Sequence, residues 1–221
     1  MARSLRAQLT VIFLVVLARP ESARPAEGDN LDYLSALERE VVLEINLARS
    51  SPDLYVSFLE EWQSYYRGRR IERSGKPAIV TEEGVVAVEE ATRFLRSMGS
   101  LPLLRPSLGM SQGSKDHVNE LGPVGAVGHK GIRGSWPTDR VNRYGRWRQT
   151  IGESIYYGRS KAREIVIWLI VDDGVPSRAH RRNIFDPAFH FIGVGCGAHA
   201  TYGTMCVLTF AGEYVDRAQR Q

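Results

Sequence analysis

FHFIGVGCGAHATYGTMCVLTFAGEYV, residues 189–215, holds two runs of strand-forming residues joined across a Gly-containing turn. Aromatic and β-branched side chains fill both runs, and the turn between them brings the runs side by side. Cys196 and Cys206, the two cysteines of the chain, fall one in each run and so sit near each other across a hairpin. Two free buried thiols are the alternative to a bridge, and export to an oxidising compartment favours the bridge.

Upstream of this pair the patterning becomes helical. SKAREIVIWLIVDDG places Ala162, Ile165, Val166 and Leu169 on one stripe behind Ser160 as cap, while TIGESIYYG before it is short and aromatic enough for a strand. TEEGVVAVEEATRFLRSM predicts a helix whose inner face is Val85, Val88, Thr92 and Leu95. Near the start, Leu34, Leu37, Val41 and Ile45 mark a helix capped by Asp29 or Asn30. Ser51, Pro52 and Asp53 open a second one. PSLGMSQGSKDHVNELG is a weaker helix, since Gly109 and Gly113 cost helix stability. Residues 67–80 read as an exposed loop, and residues 122–148 as a long irregular region of the kind that carries function or disorder. Helices lead and strands gather late, which predicts an α+β layered domain.

The chain has 221 residues and 43% hydrophobic content, enough for one sizeable core. Residues 1–26 are expected to be a secretory signal peptide, with Arg3 and Arg6 ahead of the apolar run Leu9 to Ala18, which is too short to span a bilayer. Its cleavage falls between Ala18 and Ala26, leaving residues 27–221 as a single domain without an integral membrane span. Without Arg3, Arg6, Arg19, Arg24 and Glu21 the formal charge drops from +4 to +1. A nucleic-acid partner therefore loses its support. The one remaining basic run read separately, Arg67 to Lys76, is that of a solvated loop. No cysteine near the leader serves a lipid anchor, and no CxxC or Cys/His finger spacing occurs.

Of five histidines, His129 in VGHKGIRGS and His180 in SRAHRRNIF stand in loop contexts at the ends of elements, where sites are built. His117, His190 and His199 read as structural. Glu153, a carboxylate in an apolar strand, must be paired, metal-bound or exposed, and beside two histidines it orients an imidazole or activates water.

In order, IN..R, GHKG, DRVNRYG, GESIYYG, VIWLIVDDG, HRRNIF, FIGVGCG and LTFAGEY resemble the CAP superfamily of cysteine-rich secretory, antigen 5 and pathogenesis-related 1 proteins, whose unit is also called the SCP domain. The likeness runs from Leu31 to Tyr214. It implies a three-layer α-β-α sandwich around a central antiparallel sheet, with a cleft lined by two histidines and acids. By motif, His129 and His180 match the two histidines and Glu153 the acid. The chain departs from the pattern at Ser154, where an Asn is usual, and at Val171, where animal members carry a second Glu. Asp172 or Asp173 is the candidate replacement, or else the pair is a solvated helix end.

Two imidazoles with one or two carboxylates suit Zn²⁺ or another divalent ion. The resemblance implies an exported protein that binds an extracellular lipid, sterol, glycan or protein. The rival is a metal-assisted hydrolase with Glu153 as catalytic base, although HExxH, Gly-x-Ser-x-Gly and a thiol beside a histidine are all missing from the sequence. Trp136, Tyr144 and Trp147 are either an aromatic wall for a ligand or packing that fixes the irregular region.

Overall fold

The computed structural model describes residues 31–159 and 161–217. Helix α1 (Ala36–Ser50) opens on a capping box, in which the Ser35 hydroxyl accepts from Glu38 N and the Glu38 carboxylate accepts from Ser35 N. The cap expected at Asp29 or Asn30 is thus replaced by the Ser-x-x-Glu signature five residues on. Helix α2 (Pro52–Ser64) follows at once, with proline in its first turn as expected; Ser51 makes no side-chain cap bond, and its backbone N–H closes α1 on Leu47 O. The segment expected to be a loop is a small antiparallel meander of three two-residue strands, β1 (Tyr66–Arg67), β2 (Arg70–Ile71) and β3 (Ile79–Val80). Strands this short carry no readable period. The basic residues here are largely paired internally, Arg69 with Glu82, Arg70 with Glu72, and Arg73 and Lys76 with Glu164.

Helix α3 (Val85–Ser97) buries Val88, Thr92 and Leu95 from the expected stripe. After β4 (Arg105–Pro106) comes α4 (Leu108–Leu121), a full fourteen-residue helix. Gly109 and Gly113, which argued against it, are places where neighbours come close: a Cβ on Gly109 would stand 2.6 Å from the Tyr214 hydroxyl, and one on Gly113 would stand 3.0 Å from Val141 N. Packing overrides propensity there. The region read as irregular contains a 3-10 turn (Gly122–Val124), a short α5 (Pro137–Asn142) and the first part of β5 (Gly145–Tyr157). Gln149, at φ 68, sits in a register break between Arg148 and Ile151 that interrupts the alternation of β5.

Helices α6 (Ala162–Val171) and α7 (Ala179–Phe185) precede β6 (Phe191–His199) and β7 (Gly203–Asp216). Residue 160, expected to cap α6, lies outside the described residues. The main sheet has the order β4-β6-β7-β5. The β6–β7 and β7–β5 pairings are antiparallel as expected, and the short β4 adds a parallel pair at the edge. Helices α4 and α5 cover one face, while α1, α6 and α7 cover the other, giving the three layers of an α-β-α sandwich.

Two features fix these layers. Gly193, Gly195 and Gly197 alternate along β6 and turn a face without side chains toward α4, whose backbone settles directly on the strand. On the outer edge of β6, the Ser111 hydroxyl accepts from Val194 N and the Glu38 carboxylate from Cys196 N, so ladder groups beyond the short β4 are satisfied by side chains. Cys196 and Cys206 are opposite one another in the β6–β7 ladder and are joined by a disulfide. Among the described residues no helix is long and apolar enough to cross a membrane. The apolar run Leu9 to Ala18 and the whole expected leader lie outside those residues.

Candidate functional site

The long edge strand β5 carries Glu153 on the side facing α4, together with Ile155, while Ser154 faces the opposite layer. Glu153 is nearly fully buried with both oxygens engaged. Oε1 accepts from His129 Nδ1 at 2.9 Å and Oε2 from the guanidinium of Arg140 at 2.6 Å. Arg140, from α5 and fully buried, also donates to His129 O and Ser135 O, so one cation fixes the acid and the backbone of the histidine together. Nothing in local patterning signals a buried arginine, and sequence reasoning missed it inside DRVNRYG.

His180 opens α7 with the same kind of partner. Its Nδ1 lies 2.6 Å from Asp172 Oδ1, while Asp172 Oδ2 accepts from His180 N at 2.9 Å. Asp172 closes α6 with φ 56, and this left-handed turn swings its carboxylate to the start of α7. Asp173 goes elsewhere, accepting from Glu82 N and Glu83 N at the approach to α3. Of the two candidate acids, Asp172 therefore stands beside His180. In both pairs a carboxylate can only accept, so each Nδ1 carries the proton and each neutral ring keeps its lone pair on Nε2.

The two histidines line different hollows along the same strand. His129 shares one of about 340 Å³ with Trp136, Ile151, Gly152 and Glu153. His180 shares one of about 430 Å³ with Asp172, Ile155, Tyr156 and Tyr157. Asn183, three residues after His180 and so on the same helical face, donates to Glu153 O and to the Ser154 hydroxyl, tying α7 to β5 between them. The serine that departs from the family pattern thus has a defined partner. Of the expected aromatic wall, Trp136 lines the His129 hollow, while the Tyr144 hydroxyl is held by Asp116 and Trp147 packs against the Met110 and Tyr214 cluster.

The other histidines serve the backbone. His117 and His199 donate to Gly128 O and Ala126 O, and His190 to Gly212 O. Burial, with the nearby charge of Arg140, holds His117 below the ordinary imidazole range. With Tyr157, whose hydroxyl accepts from Gly128 N, and Glu120, which accepts from Arg133 N, His117 and His199 fasten the segment that carries His129. Among the described residues no group of three or more His, Cys, Asp or Glu side chains is arranged to hold a metal ion.

The turn leading into His180 rests on Arg178, in the left-handed region at φ 49. Its guanidinium grips both oxygens of Glu83 at 2.6 Å and also Glu90, and donates to Asp172 O. Hydrogen bonds from Arg178 pull the Glu83 carboxyl down from 4.5 to about 2. A depressed acid stabilises the fold above its unfolded value and loses that contribution as pH falls through the folded one. Urea midpoints should therefore drop between about pH 4.5 and about pH 2. Arg178→Met should remove about 1–2 kcal/mol at neutral pH, a value kept low because both glutamates are partly exposed, and should flatten that part of the acid limb. An unchanged limb would refute this account.

The layering defines an α+β domain of the α-β-α sandwich class. Residues 90–210, more than half of the chain, match the model of the cysteine-rich secretory protein family, CAP, and the chain belongs to that family. Two solved structures are similar. An extracellular protein containing an SCP domain from Bacillus anthracis is 18% identical, with a TM-score of 0.41 over 57% of this chain and 37% of that one. An outer surface protein from Borrelia burgdorferi is 19% identical, with a TM-score of 0.42 over 57% of this chain and 89% of that one. The chain thus spans little more than a third of the Bacillus protein. Among curated proteins none matches it.

Proposed function

We propose that this chain is an exported binding domain that holds an extracellular ligand along the β5 edge, with His129 and His180 as its polar contact points. The observation that carries the reading is the paired support of the two imidazoles. Each has Nδ1 tied to a buried carboxylate and so presents Nε2 outward in a fixed orientation. Hollows that set one such nitrogen among Trp136 and Ile151, or among Tyr156 and Tyr157, suit a ligand with an apolar or ring-shaped body and a polar group, as lipids, sterols and glycans have. Export is supported by the Cys196–Cys206 bridge, which persists in oxidising compartments, and by the leader expected in residues 1–26.

The donor set bounds what metal the site could take. Glu153 and Asp172 orient the rings, and both Glu153 oxygens are already engaged, so each hollow offers one imidazole Nε2 as its protein donor. A divalent ion there would complete its shell with water. The same engagement weighs against Glu153 as the base of a hydrolase, because a carboxylate gripped by a buried guanidinium is poorly placed to take a proton.

Calorimetric titration with Zn²⁺ tests the arrangement. Weak binding is expected, and His129→Ala and His180→Ala should each remove part of it. Binding untouched by either substitution would overturn the assignment of these two nitrogens. Turnover of an ester or peptide substrate that Glu153→Gln abolishes would reinstate the hydrolase.

A further inference from the structure

Between Gly122 and Arg148 the chain carries six cations, Lys130, Arg133, Arg140, Arg143, Arg146 and Arg148, against one acid, Asp139. Arg140 is committed to Glu153 and Arg143 to Asp116. Among the described residues Lys130 and Arg133 pair with no carboxylate, and both are exposed. The same segment exposes large apolar side chains: Val124 at 63%, Val127 at 58%, Ile132 at 59% and Trp136 at 51%. Single exposed apolar residues are ordinary, but four within thirteen positions, interleaved with unpaired cations, are not.

The segment has been fixed in this posture. Gly131 N donates to Ser135 O and Gly134 N to Gly131 O, closing a tight turn with Ile132 and Arg133 at its tip. Bonds from His117, His199, Tyr157 and Arg140 hold the backbone on either side, so the apolar tips are kept outward instead of folding back. The Tyr157 ring also meets that of Tyr202, itself half exposed, which extends the patch to the β6–β7 turn.

We infer that this end of the molecule is a docking surface for an anionic lipid bilayer, with Val124, Val127, Ile132 and Trp136 entering the headgroup layer and Lys130 and Arg133 meeting lipid phosphates. Exposed apolar side chains interleaved in the chain with unpaired cations match the apolar and anionic layers of such a membrane surface. A protein partner would instead favour an apolar centre depleted of charge. The inference does not depend on what the cleft binds. It does place His129, between Val127 and Ile132 in the chain, beside the membrane.

The test is flotation of the full chain with phosphatidylcholine vesicles and with phosphatidylcholine–phosphatidylglycerol vesicles. The amino-terminal apolar run is common to every variant and so drops out of the comparison. Wild type is expected to prefer the anionic vesicles and to be released by salt. Val127→Ser with Ile132→Ser, and separately Lys130→Ser with Arg133→Ser, should each weaken binding at least tenfold while leaving the thermal midpoint unchanged. Equal binding to both vesicle types, no binding, or variants that bind like wild type would overturn it. So would dimerisation in sedimentation velocity that the same substitutions abolish while vesicles are ignored.

Discussion

Arg49→Met is expected to destabilise the protein by about 4 kcal/mol, the scale set by several buried acceptors losing a donor at once. Arg49 is fully buried at the end of α1, and its guanidinium donates to four carbonyls: Pro102 O, Ile184 O, Asp186 O and Phe189 O. These belong to the approach to β4, to α7 and to the approach to β6, so one side chain gathers three segments. Burial pushes the guanidinium down to about 10, with the charge of Asp186 opposing it, and the group stays cationic at neutral pH. Methionine fills a similar volume and relieves the cost of burying a charge, yet leaves the carbonyls dry. Lysine should fare little better, because one ammonium cannot reach what three guanidinium nitrogens reach. Guanidinium-chloride unfolding checks this, and a loss under about 1 kcal/mol would show that water replaces the donors.

Substitution of the β6 glycines should have an effect that depends on position. A Cβ on Gly193 would stand 2.3 Å from Met110 C, and one on Gly195 would stand 2.5 Å from Lys115 N, both backbone atoms of α4. A helix backbone cannot turn aside as a side chain can. Gly193→Ala and Gly195→Ala should each cost at least about 3 kcal/mol, and valine at either position should prevent folding. Gly197→Ala meets Val118 Cγ1 at 2.6 Å, a methyl that can rotate, and should cost about 1 kcal/mol. Gly99→Ala, with nothing near its Cβ position, is the control and should be nearly neutral. The order matters more than the values: equal losses at all four positions would mean that α4 does not rest on the strand as described.

These residues also mark what can be read from a sequence and what cannot. Helices α1, α3 and α6 were legible because their buried faces repeat at helical spacing, and the hairpin of β6 and β7 because its runs are apolar and turn-bounded. Helix α4 was underrated for the reason given by Gly109 and Gly113: a glycine needed for close approach and a glycine that weakens a helix are spelled the same way. The first part of β5 was hidden by the bulge at Gln149, and the meander of residues 66–80 by strands of two residues. The cap of α1 was written in the chain as Ser35 and Glu38 and was overlooked.

At the candidate site, motif order singled out His129, Glu153, His180 and the acid pair, and the structure groups them into two His–carboxylate pairs. Which acid faces His180 depended on the left-handed turn at Asp172, a backbone detail that residue types alone do not encode. Arg140 was invisible because its meaning lies in what it reaches, the Glu153 carboxylate and two carbonyls of another segment. Asn183 could have been found from its spacing to His180 on one helical face.

The segment from Gly125 to Ser135 contains almost no regular structure, yet His117, His199, Tyr157, Arg140 and Glu120 already hold its backbone at both ends and in the middle. A molecule arriving at His129 therefore meets a wall whose conformational entropy has been removed during folding, not at the moment of capture. Association there should proceed without an ordering phase, with a rate set by encounter and orientation. Differences in affinity among related ligands should then lie in how slowly they leave.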